Sequence, residues 1–312
     1  MRKISIVIPA YNASSTIKRC INSVLSQSYQ DFELIIVNDG STDNTYDICQ
    51  EYAARDSRII LINKENGGVV SSRQCGLEKI TGEYSIQIDS DDYIDSGMLE
   101  TMIEVAINDD ADIVYTDYYY QINGKESAVS QDFGTLDPTT LIKQNIEGKF
   151  FGALWNKLIR HTLFIENNIS FEKNVLFSED SLVLIKLLQA SKKISYIPKP
   201  FYHYINYPDS ISQRNTVKEI EQKITYINAL EKALIKKKLY DKSILKNKFQ
   251  IIRRALYCPS YPLDNIRNIF PEIFTPLNII HSKLKLSTKF LLIMLYLKMN
   301  FIPIAIMKSI KK

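Results

Sequence analysis

Between residues 4 and 117 of the chain, short and almost unbroken apolar runs alternate with stretches of helical period. Ile4–Ile8, Phe32–Val37, Ile59–Ile62, Tyr84–Ile88 and Ile113–Asp117 are rich in β-branched and aromatic residues and read as strands. Between the first two, Ile17, Ile21, Val24 and Leu25 fall on one face, which predicts a helix over Ser14–Ser26 with Ser14 or Ser15 as its N-cap. Asp39–Asp43 opens a second helix, Asn66-Gly67-Gly68 turns into a third that runs through Lys79, and Ser96–Asn108 forms a fourth. Strands fed by helical crossovers make a mainly parallel sheet covered by helices, an α/β, Rossmann-like fold. From 125 to 150 the pattern weakens to a loop with a short helix near Thr139–Asn145, and after 216 the chain becomes lysine-rich and helical. The expected domains are therefore 1–216 and a helical region, 217–312.

Charge reinforces that boundary. The net charge of +4 conceals −9 over residues 1–216 and +13 over 217–312. An acidic front half suits metal binding, and a basic back half suits an anionic surface. Cys20, Cys49, Cys75 and Cys258 are scattered without a CxxC pair, as expected of reduced cysteines in a reducing compartment. No signal peptide is evident before the first strand. These features predict a cytoplasmic protein.

In open α/β sheets ligands bind beyond the carboxyl ends of the strands. Pro9–Asn12, Asn38-Asp39, Asn63–Asn66 and Asp89–Asp92 all fall there. Asp89, Asp91 and Asp92 repel one another, and a cation or a metal–diphosphate complex would relieve that repulsion. Taken alone, the cluster also reads as an acidic helix cap before Ser96. Neither GxxxxGK[ST] nor GxGxxG is present, and the first loop lacks the Gly-rich, Arg-containing segment of a sugar-1-phosphate nucleotidyltransferase.

Ser5–Asn12, Ile36–Asp43, Asn66-Gly67-Gly68 with Ser72, Arg73 and Gly76, and Ile88–Asp92 resemble glycosyltransferase family 2, of bacterial surface-polysaccharide type. Trp155-Asn156-Lys157, Glu179-Asp180 and Ser210–Ser212 extend the likeness to about residue 212. It implies a GT-A fold and a metal-dependent, inverting hexosyl- or N-acetylhexosaminyltransferase.

Asp89-Ser90-Asp91 corresponds to the family's DxD motif. Asp91 is expected to coordinate Mn2+ or Mg2+, Asp89 to serve ribose or metal, and Asp92 to brace the loop. Pro9, Tyr11, Asp39, Asn66 and Ser90 match the nucleotide pocket, with the Asp39 carboxylate accepting a uracil imide N–H. Arg73 pairs with phosphate or positions the DxD loop; otherwise it is a solvated helix charge. Asp180, beside Glu179 in the first turn of a helix, is the expected general base, acidified by the helix dipole. Trp155 and Lys157 mark the acceptor side, Trp155 either stacking on a sugar or filling the core. His203 is either an additional metal ligand or structural.

The implied partners are a UDP-sugar donor and a lipid-linked glycan acceptor. The apolar run 290–307, interrupted by Lys298 and Pro303 and flanked by Lys283, Lys285, Lys289, Lys308, Lys311 and Lys312, suits an interfacial segment at the inner face of a membrane. A packed helical pair is the other reading, and the tail is also a candidate surface for homo-oligomers. No motif supports nucleic-acid binding. A non-catalytic subunit that binds sugar nucleotide or glycan is the alternative from another class, and the intact acidic motifs count against it.

Overall fold

A computed structural model describes residues 3–132, 134–207 and 216–299. The chain divides into two compact units, Met1–Ser210 and Ile211–Lys312, so the division falls six residues before the expected boundary. The segment Ser210–Ser212 and residues 300–312 lie outside the described residues.

In the first unit, β1 (Ile4–Ala10), β2 (Phe32–Asp39), β3 (Ile59–Lys64) and β4 (Tyr84–Gln87) pair in parallel. The helices α1 (Ile17–Leu25), α2 (Thr45–Ala53) and α3 (Val69–Leu77) lie between them in the chain. Every residue of β1 and β2 is buried, as a central parallel strand covered on both faces requires. Ile4, Ile6, Ile8, Leu34 and Ile36 pack on one side with Ile17, Ile21 and Val24 of α1. Val7, Ile35 and Val37 form a smaller core on the other, with Cys75 of α3 packed against it. Gly76 admits α3 there, because a Cβ at that position would stand 2.3 Å from Val7 Cγ1.

The second half of the unit mixes directions. It comprises β5 (Tyr93–Ile94), α4 (Met98–Asn108), β6 (Ile113–Ile122), β7 (Lys125–Val129), α5 (Pro138–Ile146), β8 (Lys157–Arg160), α6 (Thr162–Glu166), α7 (Glu179–Ala190) and β9 (Ile194–Asn206). The sheet order is β3-β2-β1-β4-β8-β6-β9-β5, with β7 attached to β6. β8 runs antiparallel to β4 and β6, whereas β6 and β9 are parallel. The result is a mixed sheet flanked by helices. The expected loop after 125 contains β7, which returns on β6 through Asn123 (φ 50°) and Gly124 (φ 74°), the left-handed pair that a two-residue hairpin turn requires. The first helix starts behind Thr16 rather than Ser14 or Ser15, with no side-chain cap.

The second unit is helical: α8 (Val217–Ala233), α9 (Asp241–Leu256), α10 (Ile266–Ile269), α11 (Pro276–His281) and α12 (Leu286–Tyr296). Thr216 and Glu219 form a reciprocal capping box on α8. The buried Lys248 of α9 bonds Glu231 of α8 at 2.7 Å and Glu272 at 2.6 Å, which neutralises a charge inside the bundle.

Candidate active site

The loops after β1 and β2 are stitched together by backbone-to-side-chain bonds. Asn12 adopts φ 49°, donates its N–H to Ser41 Oγ (3.0 Å) and accepts from the Thr42 N–H at Oδ1 (2.8 Å). Ala13 N–H reaches Thr45 Oγ1, and Ser14 N–H reaches Asp43 Oδ2. Tyr11 is left half-exposed above this junction, while Pro9 is buried in β1. Asp39 closes the next loop. Its carboxylate accepts from Gly67 N–H (3.0 Å) and Gly68 N–H (2.8 Å) and pairs with Lys64, and its carbonyl accepts from Asn66 Nδ2 (2.9 Å). Against its burial, the Lys64 ammonium and the Gly67 N–H hold the Asp39 carboxyl below the usual range. Beside it opens a cleft of about 510 Å³ lined by Asn38, Gly40, Ser41, Tyr46, Asn63, Lys64 and Glu65.

The turn Asp89–Asp92 is held from β9. Tyr202 Oη accepts the Asp89 N–H (3.1 Å) and donates to Asp92 Oδ2 (2.7 Å), while Ile205 N–H reaches Asp92 Oδ1 (2.8 Å). Asp92 is therefore a buried brace, and burial and then the charges of Asp89 and Asp91 raise its pKa well above the usual value. Arg19 donates to the Asp91 carbonyl. The Asp91 carboxylate has no ion-pair partner among the described residues, and burial and then Asp89 push it up to about 6. Ser90 between them is half-buried.

Arg73 of α3 joins this turn to the start of α7. Its Nη2 bonds Asp89 Oδ1 at 2.8 Å, and its Nη1 bonds Glu179 Oε1 at 2.7 Å and Asp180 Oδ1 at 2.5 Å. One buried guanidinium thus faces three carboxylates. Burial pushes the Asp180 carboxyl up to about 7, and the charges of Glu179 and Asp89 add to this while Arg73 opposes it. The helix-dipole acidification expected of Asp180 is outweighed, because burial removes water from the carboxylate. Glu179 is raised for the same first reason. Ser178, immediately before the pair, takes the left-handed conformation (φ 55°, ψ 31°) unusual for a residue with a side chain. Across the pair, Gly152 lies so close to α7 that a Cβ would stand 2.7 Å from Ser181 Cβ.

The sequence profile of glycosyl transferase family 2 matches residues 5–182, which carry every element just described up to the first turn of α7. The chain belongs to glycosyl transferase family 2. Two Bacillus subtilis relatives agree. The uncharacterized glycosyltransferase EpsJ is 30% identical over 72% of this chain and 70% of its own, and the putative glycosyltransferase EpsH is 34% identical over 70% and 65%. The structure of S. aureus TarS residues 1–349 in complex with UDP-GlcNAc superposes with a TM-score of 0.73 at 20% identity, covering 95% of this chain and 88% of that one. The likeness to TarS shows the fold, the GT-A arrangement.

In this family 2 chain His203, Trp155 and Lys157 are all buried, so His203 and Trp155 take the structural one of their two expected readings. His203 does not turn to the Asp89–Asp91 turn: its Nδ1 bonds Glu126 Oε1 (2.8 Å) and its Nε2 bonds Asp95 Oδ1 (3.1 Å). Its ring is sandwiched between Tyr93 (4.1 Å) and Tyr119 (4.6 Å), so both nitrogens and both faces are occupied. Trp155 is buried, stacked on Tyr202 at 4.2 Å and edge-on to Tyr118, which leaves no face for a sugar. Lys157 is fully buried, and its ammonium donates to Phe151 O, Ala153 O and Asn156 Oδ1. It shapes the 151–156 loop and does not reach out to an acceptor. Lys64 and Tyr202 were missed by the sequence reading. Tyr202 had a legible signal, since alternation along Phe201–Tyr204 puts it on the face opposite His203.

Proposed function

We propose that this glycosyltransferase moves a hexose or N-acetylhexosamine from a UDP-linked donor to a hydroxyl of a lipid-linked glycan, with inversion at the anomeric carbon, in surface-polysaccharide synthesis. The observation that carries the reading is the Arg73 bridge, because it brings a DxD carboxylate and an inward-facing carboxylate pair to one point. The cleft beside Asp39, with Tyr11 above the neighbouring loop, is of a size to admit a nucleoside. Arg73 would fix the relative position of the two acidic segments and offset their repulsion. Asp180, lifted by burial, would be a strong enough base to take the proton of an attacking hydroxyl.

The donor set fits a divalent cation. Asp91 carries a carboxylate without an ion-pair partner among the described residues, whose ionisation is resisted by burial and then by Asp89, and one or two carboxylates completed by phosphate oxygens is an ordinary arrangement for Mg2+ or Mn2+. Asp91 and Asp89 would hold it, and the cation would stabilise the charge that develops on the departing diphosphate.

Nucleotide release from a panel of donors with Mn2+ tests the reading. One UDP-sugar should turn over, Asp91→Ala should abolish release, and Asp180→Asn should abolish transfer while UDP still binds. Turnover retained by Asp180→Asn would remove it from the base role.

Membrane association is proposed on the helical unit. No helix among the described residues is long and apolar enough to cross a bilayer. Leu277, Ile280, Leu286 and Phe290 are nevertheless exposed on α11 and α12, beside Lys283, Lys285 and Lys289. Apolar side chains beside lysines suit the interface of an anionic leaflet.

A further inference from the structure

Parallel pairing of β6 with β9 sets Tyr118 opposite Tyr202 and Tyr120 opposite Tyr204. Alternation puts these four on one sheet face, and Tyr119 and His203 on the other. Trp155 lies against the first face, stacked on both Tyr202 and Tyr204. Phe151 covers this layer, with ring centroids 5.5 Å from Trp155, 5.7 Å from Tyr118 and 6.1 Å from Tyr204. Yet Phe151 is 40% exposed, whereas Trp155 beneath it is 2% exposed. Tyr120 and Tyr204 are half-buried, and Asn206 Nδ2 donates to Tyr120 Oη at 2.7 Å.

The site is built. Lys157 pins the carbonyls of Phe151 and Ala153 from below, and Asn145 Nδ2 donates to the Phe150 carbonyl. The same loop packs on the first turn of α7 at Gly152, where a Cβ would stand 2.7 Å from Ser181 Cβ. At the other edge, Ile205 N–H holds Asp92, and the Asp89–Asp92 charges raise the Tyr204 hydroxyl, after burial, to about 12. The aromatic layer therefore adjoins both acidic segments. Its top is apolar, and its rim carries neutral hydroxyl and amide groups.

We propose that Phe151, with Tyr204 and Tyr120, is the platform for the acceptor's sugar ring. This rests on the glycosyltransferase reading and adds the acceptor's chemistry to it: a neutral pyranose laid on its C–H face, with hydroxyls toward Tyr120 and Asn206. Aromatic side chains supply rigid apolar area with a polar tip, which suits a ligand of that kind.

Trp155, the only tryptophan in the chain, is a built-in reporter beneath the platform. Its emission is followed in the full-length protein, with UDP and Mn2+ present, during titration with the methyl glycosides of glucose, galactose and N-acetylglucosamine. At least one glycoside should give a saturable change that glycerol does not reproduce. Phe151→Ala should weaken that binding about tenfold or more. Phe151→Leu, which preserves the apolar contact with Trp155, should weaken it less. Absence of a saturable response to every glycoside in the wild-type protein overturns the platform, as does unchanged glycoside binding in both variants. A response only to intact UDP-sugars also overturns it, assigning the layer to the donor. Failure of UDP with Mn2+ to bind at all counts against the proposed donor and leaves the glycoside titration readable.

Discussion

Asp180 lies between two opposing influences, a buried setting that favours its proton and a guanidinium 2.5 Å away that favours its charge. Burial prevails, and the sign of the pH dependence follows. In the proposed base role only the carboxylate form can accept a proton, so kcat/KM should be flat above about pH 7 and fall toward about tenfold per unit below it. A pH–rate profile checks this: a base with an ordinary carboxylate pKa would keep full activity down to about pH 5. The sequence made Asp180, Glu179, Arg73 and the DxD carboxylates legible as candidates, because their segments fall at strand ends and one helix start. It did not make their electrostatics legible. The dipole of α7 could be inferred from residue order, but burial depends on α3 and the 151–156 loop arriving from distant parts of the chain. Lys157 was placed on the acceptor side and Trp155 left between two readings for the same reason, since nothing in their neighbours along the chain tells a ligand-facing side chain from a buried one.

At the scale of elements, legibility follows how many faces of a strand are buried. The parallel strands β1, β2 and β4 are buried on both faces and stand out as runs. β7 is exposed along nearly its whole length, so it carries no alternation to read. β5 has two residues and β8 four, too short for a period. β9 contains Pro198 and Pro200, which read as strand breakers; here they fall where the β6–β9 register shifts, and the irregularity accommodates them. The packing of α3 on β1 is specified more sharply than either element alone. Gly76→Ala would drive a methyl into Val7, and α3 would have to lift, carrying Arg73 with it. The variant should lose about 1–3 kcal/mol in denaturant unfolding and a larger share of its turnover than stability alone predicts. Unchanged stability would show that α3 moves freely on the sheet.

Over the whole molecule, the opposite charges of the two halves divide the work. The acidic front half holds the carboxylates proposed for a cation and for the base. The helical unit presents lysines beside exposed Leu277, Ile280, Leu286 and Phe290. Those side chains are anomalous in a helical bundle, where such residues normally face inward. If they meet a bilayer, flotation with anionic liposomes should carry the protein, and neutral liposomes should carry much less. Leu286→Glu with Phe290→Glu should abolish flotation, and raised salt should weaken it. Equal flotation of the double variant would move the contact elsewhere. The sequence foresaw the basic character of this region, but which apolar residues stay outside depends on how α11 and α12 fold back on one another.

Ser178 has a consequence of another kind. A left-handed serine costs about 1 kcal/mol or more, a strain the rest of the fold must outweigh. Glycine would remove it, so Ser178→Gly should raise the melting temperature. The same change would free the backbone at the joint that aims Glu179 and Asp180, and kcat should drop. A sturdier but slower enzyme would mean that this position is held at a compromise between durability and aim, and directed evolution for heat tolerance should find it early and selection for turnover should reject it.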